Sequence, residues 1–348
     1  MFRHRSIWLV TVFSLVLGPA GRADGPSAKT KEKLYITNAL GDDITVVDVA
    51  TNQVISTIKV GPHPHGIALP ASQNVIFITI ETDPGELVWL DPVSDKVVRR
   101  MNVGPRPNQL AVTPDGKLAF IPVEDGNWEI VDTEAAKIIG RIHTSGRPHN
   151  TLCSADGKRM YLAPMAKSAT DNPRVVFIVD VASRKVMGKL NFSDAVRPIA
   201  LSRDEKRFYA NIDNLIGVEV ADVSEPKLIH RIAANISPDQ RSIPSRSHGI
   251  GIRPDQKELW TCDVNHHQVY VFDISGDIPR QIATIPMGGE VYWLTFTPDG
   301  AICYVSVQGK NRVAAVDTAS KKILARIPSG EMPKRLIVVA VPNKTDSH

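Results

Sequence analysis

Cysteine is nearly absent, with three residues in 348, and aromatics make up only 6%. Three thiols as scattered as Cys153, Cys262 and Cys303 exclude a disulfide framework, and each sits among apolar strand residues, where a thiol packs as a small hydrophobe. An excess of either charge is also lacking. Lys plus Arg is 41 against 37 acids, a formal +4. Three of the positive charges (Arg3, Arg5 and Arg22) lie in the first 23 residues beside no acid, so the rest carries +1. A balanced body has no basic face for nucleic acid, and no nucleic-acid partner is expected. Past the first 23 residues, apolar runs long enough to span a bilayer are missing, as is any helix-length apolar periodicity. Ser nucleophile elbow, HExxH, P-loop and CxxCH motifs are missing too.

What is present begins with a basic start, an eleven-residue apolar core from Ile7 to Leu17, and small residues at Gly21 and Ala23. That order reads as a secretory signal peptide over 1–23, too short to span a membrane. The expected product is periplasmic or secreted. It consists of an extension over 24–32, a single body over 33–342 and a tail over 343–348.

The body is a repeat. A β-rich run ending in aspartate recurs at Asp48, Asp91, Asp132, Asp180, Asp222, Asp273 and Asp317, at intervals of 41 to 51 residues. A second strand, a Gly-x-x-Pro element, a short apolar strand and a turn of the Pro-Asp-Gly type follow most of these. Five residues past the turn aspartate stands Phe120, Tyr161, Tyr209, Trp260 or Tyr304, with Tyr35 and Phe77 in the equivalent places of the first two units. Four short strands per unit is the size of a propeller blade, and seven units predict an all-β, seven-bladed propeller. The chain opens on a second strand at Lys33-Leu34-Tyr35 and ends on a first strand at Arg335 to Val341. The two fragments are therefore expected to complete one blade and close the ring.

Leu34-Tyr35-Ile36-Thr37-Asn38, then Ile44 to Asp48 and Val60-Gly61-Pro62, resembles the secreted YVTN-repeat propellers, also called YncE-like or surface-layer-type. The resemblance covers essentially the whole mature chain and implies a rigid extracytoplasmic propeller. It implies no single chemistry, because lactonases, lyases, metal sites and docking platforms share the fold.

Four residues before the last apolar position of each innermost strand stand His65, Asn108, His149, Arg197, His248, Tyr292 and Lys334. Three imidazoles on three blades suit copper or zinc, with His267 placed to add a fourth ligand. Glu81, Glu124 and Asp213, at equivalent ends of second strands, are expected to orient those imidazoles. Asn108, Arg197, Tyr292 and Lys334 supply ligand-binding groups, and Arg197 and Lys334 instead suit an anion or carboxylate. Structural histidines bonded to neighbouring backbone remain the alternative. His63 is expected to face solvent. Two longer loops, Met165 to Arg174 and Ala234 to Arg246, are expected to lean over the hub. Two function classes stay open. One is a binding or scaffold module holding a small ligand, metal or partner protein at the rim. The other is an enzyme of lactonase, lyase or oxidoreductase type using the hub histidines.

Overall fold

The computed structural model describes residues 30–168 and 170–343. The expected signal peptide over 1–23, most of the expected 24–32 extension and most of the 343–348 tail lie outside the described residues. Seven four-stranded antiparallel sheets form a closed seven-bladed propeller. Strand-forming Val, Ile and Thr fill the runs, and aspartate turns punctuate them. Each repeat aspartate ends a third strand and turns its carboxylate onto a backbone N–H of the next turn. Thr51 N to Asp48 (3.0 Å), Ser183 N to Asp180 (2.7 Å) and Ser320 N to Asp317 (2.7 Å) are examples.

The closing strand is longer than the sequence pattern implied. Pro333–Pro342 pairs antiparallel with Thr30–Asn38, from Thr30 opposite Pro342 to Asn38 opposite Pro333. Within the described residues, Thr30, Lys31 and Glu32, placed in the extension by the sequence, also pair with the closing strand.

Buried apolar residues form seven clusters, one in each seam between neighbouring blades. All seven repeat aromatics are buried in these seams. Second and third strands, apolar on both faces, fill the wedges, while the outermost strands alternate exposed and half-buried residues. The innermost strands are Pro333–Pro342, Pro64–Ala68, Ala111–Val112, Arg147–Cys153, Val196–Leu201, Ser247–Ile252 and Val291–Phe296. They run the same way along the central axis, so their first residues gather at one mouth of the hub and their last residues at the other. The three cysteines are free. Among the described residues, no helix is long and apolar enough to cross a membrane.

Candidate functional site

The mouth where the innermost strands begin is polar and buried. His65, His149, His248, Tyr292 and Lys334 are all buried there. Beside them lies a residue the spacing passed over. Arg335 is only 1% exposed and no carboxylate pairs with its guanidinium. Its side chain donates one long bond, Nη2 to Asn150 Oδ1 at 3.4 Å, and lies 3.8 Å from the centre of the Trp293 ring. Nε and Nη1 have no protein partner. Such a charge is expensive to bury: desolvation costs several kcal/mol that stacking on an indole only partly offsets, about 2 kcal/mol at best. Burial draws the Arg335 pKa down to about 10.

The imidazoles turn to Tyr292 and Asn150. His65 Nε2 lies 3.3 Å from the Tyr292 hydroxyl, and its Nδ1 has no hydrogen-bond partner. His149 Nδ1 lies 2.5 Å from the Asn150 amide nitrogen. The His248 ring packs on Tyr292 with centroids 4.5 Å apart, and its Nδ1 is also unpartnered. Burial is the main reason all three stay neutral, and nearby cations deepen it. His65 feels Lys334 and Arg335, His149 feels Arg335, and His248, drawn down to about 3, feels Arg197 and Arg246. Burial pushes the Tyr292 hydroxyl up.

The metal arrangement expected from the sequence is not assembled. Among the described residues, no group of three or more His, Cys, Asp or Glu side chains is placed to hold a metal ion. His65, His149 and His248 each turn to Tyr292 or Asn150, and the neighbouring guanidinium disfavours a second cation. His267 is exposed in a left-handed turn at φ 55°. Its neighbour His266 is the buried one, with Nδ1 2.8 Å from Asp263 and Nε2 2.9 Å from the Gln240 carbonyl.

The acids also differ from expectation. Asp213 holds Arg197 in a two-pronged pair, with Nη2 to Oδ2 at 3.0 Å, so Arg197 is already neutralised. Glu124 lies 2.9 Å from Arg106 Nε and 3.7 Å from Arg147 Nε. These carboxylates orient guanidinium groups because those are the stronger partners at the rim. Glu81 alone approaches an imidazole of the ring, 3.8 Å from His65 Nδ1. Its nearer partner is His63 Nε2 at 3.1 Å, which also lies 3.3 Å from Lys334 Nζ. That nitrogen donates to the carboxylate or accepts from the ammonium, not both. His63 is therefore half-buried in the cluster and not solvent-facing. Burial would raise Glu81, but the His63 bond, Lys334 and Arg106 outweigh it and hold its pKa low. Burial draws Lys334 down to about 8 against the opposing pull of Glu81. Asn108 accepts its neighbour's backbone N–H on Oδ1 at 2.9 Å.

Both long loops serve the rim. Met165 receives Arg197 Nη1 on its sulfur at 3.8 Å. The Ala234 to Arg246 loop is pinned through Gln240 to His266 and through Ser245 to Asp263 at 3.0 Å. It delivers Arg246 next to the hub, where its charge acts on His248 and Lys334. Arg106, Arg147, Arg197, Arg246, Lys334 and Arg335 thus face Glu81, Glu124, Asp213 and Asp263. Cations outnumber acids, and only Arg335 is both buried and free of a carboxylate.

No family model and no curated protein matches this chain. Solved structures do. A periplasmic gluconolactonase of Pseudomonas aeruginosa is 16% identical with a TM-score of 0.75, covering 90% of this chain and 100% of that one. A hydrazine synthase chain of Kuenenia stuttgartiensis is 18% identical at 0.69, covering 81% and 96%. A putative 6-phosphogluconolactonase of Bacteroides fragilis is 14% identical at 0.73, covering 91% and 100%. At these identities the likeness shows the propeller fold alone.

Proposed function

We propose that this chain is an exported YVTN-type propeller acting as a binding module, and that its hub takes a small anion, best matched by a carboxylate. One observation carries the reading: the buried Arg335 guanidinium has no carboxylate counterpart and two N–H groups without a protein partner. A carboxylate seated there would neutralise the charge and accept those bonds, converting an unfavourable burial into a charge-assisted pair. His65 Nδ1 and His248 Nδ1, also unpartnered, complete a polar lining able to meet the ligand's remaining oxygens. The N-terminal signal pattern supports export.

Calorimetry against acetate, succinate, malate and gluconate, with acetamide and glycerol as neutral controls, tests this. One or more carboxylates should bind at one site while the neutral compounds do not. Arg335→Met should weaken that binding at least ~30-fold, the ~2–5 kcal/mol that truncating one side of a buried charge pair costs. The same variant should melt at the parent temperature or above it, because replacing an unpaired buried charge by an apolar side chain is neutral or stabilises by ~1–4 kcal/mol. Carboxylate binding that survives in Arg335→Met would defeat the proposal.

A second reading, lactone hydrolysis at the same hub, is favoured by the cluster of neutral imidazoles beside Tyr292 and by the names of two similar structures. It is the weaker one. A general base works best with a pKa near the working pH, and His248 at about 3 is far from that. Opening of glucono-δ-lactone, followed by acid release, should run at the buffer rate. Acceleration lost together in His65→Gln, His149→Gln and His248→Gln would establish the enzyme instead.

A further inference from the structure

The opposite mouth of the hub, where the innermost strands end, holds a separate cavity of about 440 Å³. Leu152, Ile199, Leu201, Ile250 and Ile252 form its apolar walls, on the second halves of three neighbouring innermost strands. Trp293 and Gln109 border it from two other blades. We propose that this cavity binds a planar aromatic molecule, of one or two rings, that carries a hydrogen-bond donor.

Two features set that chemistry. Trp293 is only partly buried, and the Arg335 guanidinium already lies over its ring, so the indole is held in place while its open part borders the cavity. A fixed, partly exposed indole on an apolar wall is a stacking platform, and aromatic stacking adds to simple burial. Gln109 supplies the polar requirement. Its Nε2 donates to the Ile67 carbonyl at 3.3 Å, which fixes the amide orientation and leaves Oε1 buried without a partner. An orphan acceptor beside an aromatic platform calls for a ligand O–H or N–H. The volume fits a ligand of this size and falls within the ordinary range for small-molecule sites. The Cys153 thiol also borders the cavity, but burial raises its pKa to about 12, so it is a neutral wall and not a nucleophile.

The test is equilibrium dialysis of the exported protein with 2-naphthol, 2-methoxynaphthalene and cyclohexanol. Naphthol should bind saturably at one site, the methyl ether at least ~5-fold more weakly because it cannot donate to Gln109, and cyclohexanol not measurably. Trp293→Leu should weaken naphthol about tenfold. Gln109→Leu should erase the preference for naphthol over its ether while leaving both bound. Ile252→Phe fills the cavity from the opposite wall and should block binding with Trp293 intact, which covers the case of a poorly folded Trp293 variant. Absence of saturable naphthol binding, or full binding by the folded Ile252→Phe variant, would overturn the assignment.

Discussion

Single residues at the hub make folding stability depend on pH below 6.5, through their buried imidazoles. His65, His149 and His248 have folded pKa values below the ordinary 6.5, His248 at about 3. Between those values and 6.5 the unfolded chain binds more protons than the folded one, so stability falls as pH falls below 6.5. Glu81, with its pKa held below 4.5, adds its own loss only below that value. In the interval from pH 6.5 to 4.5 the histidines lower stability as pH falls, against an opposing contribution from Glu32, whose pKa burial and Asp299 raise above 4.5. Urea unfolding at steps across it should show a steady loss in the parent and a clearly smaller loss in His248→Gln; identical slopes would contradict buried, neutral imidazoles. Repeat spacing placed these rings at equivalent positions of the innermost strands, and their burial was not foreseen from it. Their partners were not legible either, because spacing places a residue on a strand without telling which neighbour its ring turns to. Arg335 left one usable signal: a charge directly after Lys334 in a closing strand that is otherwise Leu-Ile-Val-Val-Ala-Val.

Among elements, the strand over Pro333–Pro342 does two jobs, completing the first blade and presenting Lys334 and Arg335 to the hub. Removing residues 333–348 exposes the edge of the Thr30–Asn38 strand and deletes the hub cation together. The truncated chain should melt far below the parent and scatter light on standing, whereas a melt like that of the parent would refute closure by this strand. The repeat aromatics act in the seams. Phe120 is fully buried between the third and fourth blades, so Phe120→Ala should destabilise by ~3–5 kcal/mol in denaturant titration. A cost under ~1 kcal/mol would show that the seam can collapse around the gap. These elements were readable in advance because turn aspartates and strand alternation are local chemistry repeated seven times. The carboxylates at second-strand ends misled, since only the assembled ring decides whether Glu124 and Asp213 meet imidazoles or the longer-reaching arginines of other elements.

In the whole molecule, a nearly neutral chain concentrates cations at one mouth of its axis and a tryptophan-bordered cavity of mixed apolar and polar lining at the other. Asn150, Trp293 and Arg335 join the two ends, since Asn150 and Trp293 border the cavity and both touch Arg335. Seven packed seams make the ring rigid, which suits it to hold a buried charge in a fixed orientation that a smaller core would have let relax to solvent. That arrangement follows from closure, so it could not be read from any one repeat. The most direct measurement is a crystal structure of the protein grown with 1-bromocyclopropanecarboxylate, a small carboxylate whose bromine resists displacement by imidazole or thiol, so that anomalous scattering locates it independently of the protein. The account predicts a bromine peak in the hub beside Arg335, with the carboxylate on the guanidinium, and no such peak in Arg335→Met crystals. Bromine found only on exposed side chains, with the parent hub free of it at a saturating concentration, would contradict an anion site at Arg335.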